Sequence, residues 1–341
     1  MKGLLAKSGV AVLGLSLAAV VVQSAPQAVT AGGRAPSAAV VAQARSNFVK
    51  TMSAHSTMVQ KGGWVSPGVK HSTTVKTKNG TVSSMPSVNW SGFADSETTA
   101  GKTVTSASGD WTIPAVRCLP RPYQNQDAFL ANWVGIDGLT NGTVEQLGTA
   151  TQCFEGVEYY YVWYEMYPAG TVEEGTTACI NNNVNCPEPG DRVSASVTVT
   201  PGTGGNNNYV LKLTDHTRPQ ESFSVSQTCA ATTCVDSSAE WIIERPAVLP
   251  DFGVQILPLA DFTSTGFTRG NLVAGGVSSS IQGFNGSVFN LSMNDDTDSY
   301  YLDCVGQTQR SGTLLQVTPN QCPVVAPRHD GQFYALWDSG F

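Results

Sequence analysis

The chain has 341 residues, 41% of them hydrophobic and only 13% charged, and a formal net charge of −7. That balance hides a segregation: Asp95 is the first acidic residue, so nine Lys and Arg precede it unopposed, while the ten that follow face all 26 acids, a net of −16. A segment so acidic excludes nucleic acid and anionic membrane as its partners, because phosphate recognition runs on Lys and Arg.

Met1, Lys2, an apolar run from Ser8 to Val22 and small residues around Ala25 predict a secretory signal peptide over 1–24 and a secreted, extracellular product. No later stretch is apolar for the ~18 residues a membrane span needs. Residues 25–86 are rich in Ala, Ser, Thr, Val and Lys, and they read as a basic pro-segment without sustained periodicity. Facing an acidic domain, this segment is expected to be the protein's own inhibitor, attracted by charge and released as carboxylates protonate.

Residues 87–341 are expected to form one domain and a monomer. Asn89-Trp-Ser-Gly-Phe93 and Gly109-Asp-Trp-Thr-Ile-Pro114 read as short strands closed by turn residues. Val193, Ala195, Val197 and Val199 alternate with Ser and Thr. After a Gly/Asn-rich loop, Tyr209, Leu211 and Leu213 resume the alternation, a β-hairpin with one buried face. Phe333–Trp337 is the last predicted strand. With 34 Gly and no amphipathic helical run beyond the signal peptide, the fold class is all-β, an antiparallel two-sheet sandwich.

Eight cysteines lie between 118 and 322. In an oxidising compartment four disulfides are the default, and close spacing suggests Cys179–Cys186, Cys229–Cys234 and Cys304–Cys322, leaving Cys118–Cys153 among ~105 formal pairings. There is no CxxC repeat and no HExxH, so no zinc is expected. Asn294, Asp296 and Asp298 have the spacing of a calcium loop, but the sixth-position Gly and twelfth-position Glu are missing. No metal or cofactor is called for.

Serine catalysis needs a histidine beside a nucleophile. Beyond the pro-segment only His216 and His329 remain; His216 sits in a turn, and there is no GxSxG elbow. That leaves carboxylates on strands, which strand parity sorts. Glu240 and Glu244 share a face with Ile242 but stand ~13 Å apart along the strand, too far for a glycosidase pair. Gln146 faces with Val144 and Gly148, opposite to Glu145. Trp163, Glu165 and Tyr167 share a face of the most aromatic stretch, either a platform for an extended ligand or core.

Five blocks then carry a resemblance: Asn89–Phe93, Trp133-Val-Gly-Ile-Asp-Gly138, Gln146-Leu-Gly148, Trp163-Tyr-Glu-Met-Tyr-Pro168 and Ala239-Glu-Trp-Ile-Ile-Glu244. In order and spacing they resemble the eqolisins, the glutamic peptidases, over roughly residues 87–341. The resemblance implies a concanavalin-like sandwich, an acid, pepstatin-insensitive endopeptidase acting on polypeptides, and a catalytic dyad of Gln146 and Glu240. It also places Trp133, Asp137, Trp163 and Glu165 in or beside the substrate cleft. Two other readings use the same fold: a carbohydrate-active sandwich with Glu165 and Glu240 as its carboxylate pair, and a non-catalytic binding module.

Overall fold

The computed structural model describes residues 36–59, 74–77, 80–87, 89–96, 101–118, 127–139, 141–248, 255–262, 264–281, 287–294, 301–306 and 332–337. The predicted signal peptide, the Asn294–Ser299 loop beyond its first residue, His329 and Cys322, and with it the expected Cys304–Cys322 bond, lie outside them. The strands are β1 (Thr74–Thr77), β2 (Gly80–Ser87), β3 (Trp90–Ser96), β4 (Val104–Thr112), β5 (Ala128–Ile136), β6 (Val144–Phe154), β7 (Val157–Tyr167), β8 (Thr171–Glu174), β9 (Arg192–Pro201) and β10 (Asn206–Asp215). They continue with β11 (Phe223–Ala230), β12 (Ser238–Glu244), β13 (Ala247–Val248), β14 (Gln255–Ile256), β15 (Ser264–Ala274), β16 (Val277–Ser280), β17 (Ser287–Asn294), β18 (Tyr301–Gly306) and β19 (Phe333–Trp337). Two helices are α1 (Ala38–Val59) and α2 (Thr177–Asn182).

The first sheet runs β8-β7-β6-β5-β12-β3-β17, antiparallel at each step, with β2 added parallel to β17. The second runs β16-β15-β4-β9-β10-β11, also antiparallel. β15 joins the two, its first residues pairing with β19 and its later ones with β4. Inward-facing residues meet between the sheets: Val193, Ala195, Val197, Tyr209, Leu211 and Leu213 from the predicted hairpin pack with Val134, Leu147 and Trp241. The Trp111 indole crosses this core to donate to Thr149 Oγ1 at 2.9 Å. The expected sandwich, hairpin and last strand are all present, as are the Cys118–Cys153, Cys179–Cys186 and Cys229–Cys234 disulfides.

The first sheet packs on both faces, which explains why β3, β5, β6 and β12 are buried at every position rather than alternately. Its outer face carries a second apolar cluster in which Val41, Ala44, Phe48 and Met52 of α1 meet Trp133, Tyr161, Trp163 and Ile242. Here the sequence expectation is overturned, since a helix of 22 residues stands where no periodicity was expected. The reason is compositional. The apolar stripe of α1 is narrow and its exposed face is mainly Ala38, Ala39, Ala42, Gln43 and Ser46, with Lys50 its one charge, so the pattern is faint while Ala supplies the helix propensity. Ser37 caps the start, its Oγ accepting from Val40 N at 3.4 Å. The sheet also begins before residue 87, through β2.

Close packing within the first sheet depends on glycine at one crossing. A Cβ at Gly148 would lie 2.1 Å from the Asn132 carbonyl oxygen, which is backbone and cannot swing aside. Gly148→Ala is therefore expected to destabilise by about 3 kcal/mol or more. Urea unfolding against Gly142→Ala, whose Cβ would meet nothing within 4 Å, measures it.

Candidate active site

Register across the first sheet assembles the site. Gly135 of β5 pairs with Gln146 of β6 on one side and with Glu240 of β12 on the other. Gln146 in turn pairs with Glu165 of β7, and Glu165 with Thr171 of β8. Thr171, Glu165, Gln146, Gly135 and Glu240 thus form one row, all on the outer face. Gln146 and Glu240 stand two strand spacings apart, about 10 Å between backbones. The residue between them has no side chain, so both can lean over the gap. A Cβ at Gly135 would come within 2.9 Å of the Trp133 ring and 3.3 Å of Gln146 Cβ.

Each group is oriented by named partners. Gln146 Nε2 donates to Glu165 Oε2 at 2.8 Å, and Thr171 Oγ1 donates to Glu165 Oε1 at 3.0 Å. Gln146 Oε1 has no hydrogen-bond partner among the described residues. One row along the strands lie Trp163, Gly148, Trp133 and Ile242, and beyond them Tyr161, Ala150, Ala131 and Glu244. Glu244 accepts from Trp90 Nε1 at 2.5 Å, Trp133 Nε1 at 2.7 Å and Asn89 Nδ2 at 2.9 Å. It thereby fixes the indoles that wall the row above it.

Gln146, Glu165 and Glu240 are each 0% exposed. Burial pushes the Glu240 carboxyl well above the usual carboxylate range; the Ser238 hydroxyl on the same face draws it back in part, while Asp137 and Asp95 add to the rise. Burial also raises Glu244 strongly, against the pull of the Trp133, Trp90 and Asn89 donors. A carboxyl whose proton affinity burial has raised, beside a carboxamide, is an acid–base group with a neutral polar neighbour.

The expected site residues are thus partly gathered. Gln146, Glu165 and Glu240 share one row, and Trp133 and Trp163 the next. Asp137 lies past the end of β5, where its Oδ1 accepts from Ser237 N (2.6 Å) and Ser237 Oγ (2.8 Å) and its Oδ2 from Asp236 N (2.9 Å). It fastens the segment that enters β12 two residues before Glu240. Gly135 was not singled out, although a glycine inside a strand is itself a sign of close approach. The carboxylate pair of the carbohydrate reading is three strand steps apart, about 14 Å between backbones, and Glu165 is already engaged by Gln146 and Thr171. His216 is exposed and shares a 2.7 Å hydrogen bond with Ser194 Oγ, on the other sheet.

The sequence profile of the Peptidase A4 family matches residues 88–311. The chain belongs to this family, the eqolisins. Peptidase A4 members are glutamic endopeptidases, and the match spans every residue of the row described above. Among solved structures, the chain is similar to scytalido-glutamic peptidase, crystallised with a transition state analog inhibitor: 20% identity, a TM-score of 0.50, 74% of this chain and 98% of that one. It is also similar to aspergilloglutamic peptidase from Aspergillus niger at 20% identity and a TM-score of 0.35, over 62% of this chain and 99% of that one. At this identity the first of these likenesses speaks for the fold alone, and the sandwich agrees with it. No curated protein matches the chain.

Proposed function

We propose that this Peptidase A4 enzyme is an extracellular acid endopeptidase in which Gln146 and Glu240 hydrolyse the peptide bond through an activated water. The observation that carries this reading is the row in which both residues flank Gly135 on one face. Amide hydrolysis needs a base for the water, a donor for the developing oxyanion and a proton for the leaving nitrogen. Glu240 takes the water's proton and then delivers it to nitrogen, a role suited to a carboxyl whose affinity for protons burial has raised. Gln146 Oε1, without a hydrogen-bond partner among the described residues, orients the water. Its NH2, anchored on Glu165 by one hydrogen, has a second to offer the oxyanion. Trp133 and Trp163 wall the cleft against which an extended polypeptide would lie, and Glu165 holds Gln146 in place. No covalent intermediate is needed. The test is digestion of an unfolded protein by the acid-treated chain over pH 2–7 with pepstatin present, beside a panel of polysaccharides. Pepstatin-resistant peptide release confined to acid is expected; sugar release without peptide release would sink the reading.

The second element of the proposal is that the pro-segment masks the cleft. α1 lies against β6, β8 and α2, and its Phe48 ring stacks on Tyr161 at 3.9 Å. Ser53 Oγ accepts from Thr171 N at 3.1 Å, one link from Glu165. Arg45 is buried over the Tyr161 ring, paired with Glu173 and donating to Asn183 Oδ1. The anchorage is thus an apolar stripe plus one buried ion pair, rather than a spread of lysines. Breaking one side of such a pair strands the other charge, a loss of about 3 kcal/mol or more. A 36–59 peptide is accordingly expected to bind the mature enzyme near neutrality and to inhibit it at the upper edge of its acid range, and Arg45→Ala or Phe48→Ala in it to weaken inhibition by about 100-fold. Equal inhibition by all three peptides would remove this part of the proposal.

A further inference from the structure

Asp137, Glu145 and Asp236 each bring one carboxylate oxygen to within 4.8 Å of the others'. They come from the end of β5, the start of β6 and the segment before β12. All three are buried, at 0%, 0% and 3% exposure. Glu145 faces away from Gln146, so this cluster is not part of the proposed dyad. Neither Glu145 oxygen has a hydrogen-bond partner among the described residues, and one of them lies in the cluster.

The other two carboxylates are held in fixed orientation. Asp137 takes the three donors from Asp236 and Ser237, and Asp236 accepts from Tyr209 OH at 2.6 Å and Asn207 Nδ2 at 2.7 Å. Such outer donors orient a ligand set while leaving a further lone pair on Asp137 Oδ2 and on each Asp236 oxygen. No described ion pair supplies a cation here: those of Arg45, Arg117, Arg218 and Arg269 go to other acids. Three acids drawn together out of water are accommodated either by protonation or by a compensating positive charge.

We propose that Asp137, Glu145 and Asp236 bind a hard divalent cation of calcium's size. The donor set is oxygen only, one carboxylate oxygen from each residue, which suits calcium's preference for oxygen ligands at flexible angles. Zinc and other soft ions are disfavoured, because the neighbouring Cys229 and Cys234 are tied to each other as a disulfide and offer no thiolate. A cation here would brace the Asp236–Ser238 segment, which leads directly into Glu240. The inference stands on the cluster itself and holds whether or not the dyad mechanism does.

The test uses the full chain, stripped with EDTA and held at pH 6.5. Adding 5 mM Ca²⁺ is expected to raise the unfolding temperature by about 5 °C or more. Tb³⁺ is expected to give saturable luminescence at one equivalent, sensitised by Tyr209, whose hydroxyl touches a ligand. Both responses should be lost in Glu145→Gln and again in Asp236→Asn. Because either variant could fail to fold, the wild-type arm is decisive by itself in one direction. No Ca²⁺ shift and no saturable Tb³⁺ signal overturn the proposal, as does a response that persists undiminished in whichever variant folds.

Discussion

Glu240→Gln is expected to abolish peptide hydrolysis, lowering kcat by about 10⁴-fold or more, with peptide affinity changed by less than about threefold. The substitution keeps the volume and removes the only proton-transferring group of the proposed dyad. Because Glu240 lies between Gly135 and Ala94 in a fully paired strand, the change has little to disturb structurally. Gln146→Glu is expected to lose less, about 10²–10³-fold, the usual effect of removing one oxyanion donor. An ionised Glu there would also face Glu165, which now accepts from Gln146 Nε2 at 2.8 Å. The two variants should differ in pH profile as well: Glu240→Gln is flat at background, whereas Gln146→Glu retains a profile shifted toward acid, where its new carboxyl is neutral. Measuring kcat, KM and the Kd of a non-cleaved peptide separates these effects. Activity within tenfold of wild type for Glu240→Gln would remove the dyad.

How far the site could be read beforehand follows from strand parity. In β12, Ala239, Trp241 and Ile243 face the inter-sheet core while Glu240, Ile242 and Glu244 face out, as a period of two requires. The same counting separated Gln146 from Glu145. What parity does not give is register between strands distant in sequence. That Gln146 and Glu240 flank the same Gly135 is a consequence of how β5, β6 and β12 align, and it was reached beforehand only through the eqolisin resemblance. α1 was missed because its stripe of Val41, Ala44, Phe48 and Met52 is set mainly among Ala and small polar residues, with only Arg45 and Lys50 charged. Its docking on Tyr161 is a tertiary contact that no local pattern encodes. The Asp137, Glu145 and Asp236 cluster escaped for a related reason: its members are eight and 91 residues apart in the chain and meet only where β5, β6 and β12 end together.

The second large effect expected is on stability, and its sign is the reverse of ordinary acid denaturation. Burial lifts the folded-state pKa of Glu240 and Glu244 well above the ~4.3 of an exposed glutamate. Burial likewise lifts Asp236 to about 6, although the Tyr209 hydroxyl opposes it. Between the unfolded and folded pKa of each group the folded chain binds more protons than the unfolded one, so stability falls as pH rises. The contribution is complete below about pH 4 and is lost through the folded pKa values, at about 1.4 kcal/mol per unit of difference for each group. For Asp236 alone that is a loss of about 3 kcal/mol by pH 7. With EDTA present, so that the carboxyls titrate without metal, the unfolding temperature is expected to be highest near pH 3–4 and to drop by about 10 °C or more by pH 7. Glu240→Gln, which cannot ionise, should narrow that drop while leaving acid stability nearly intact. An unfolding temperature that is flat or climbs toward neutrality would mean that these carboxyls are ionised without penalty. Glu240 would then lack the raised proton affinity on which the proposed transfer from water to nitrogen draws, so the same measurement bears on the proposed chemistry as directly as on the fold.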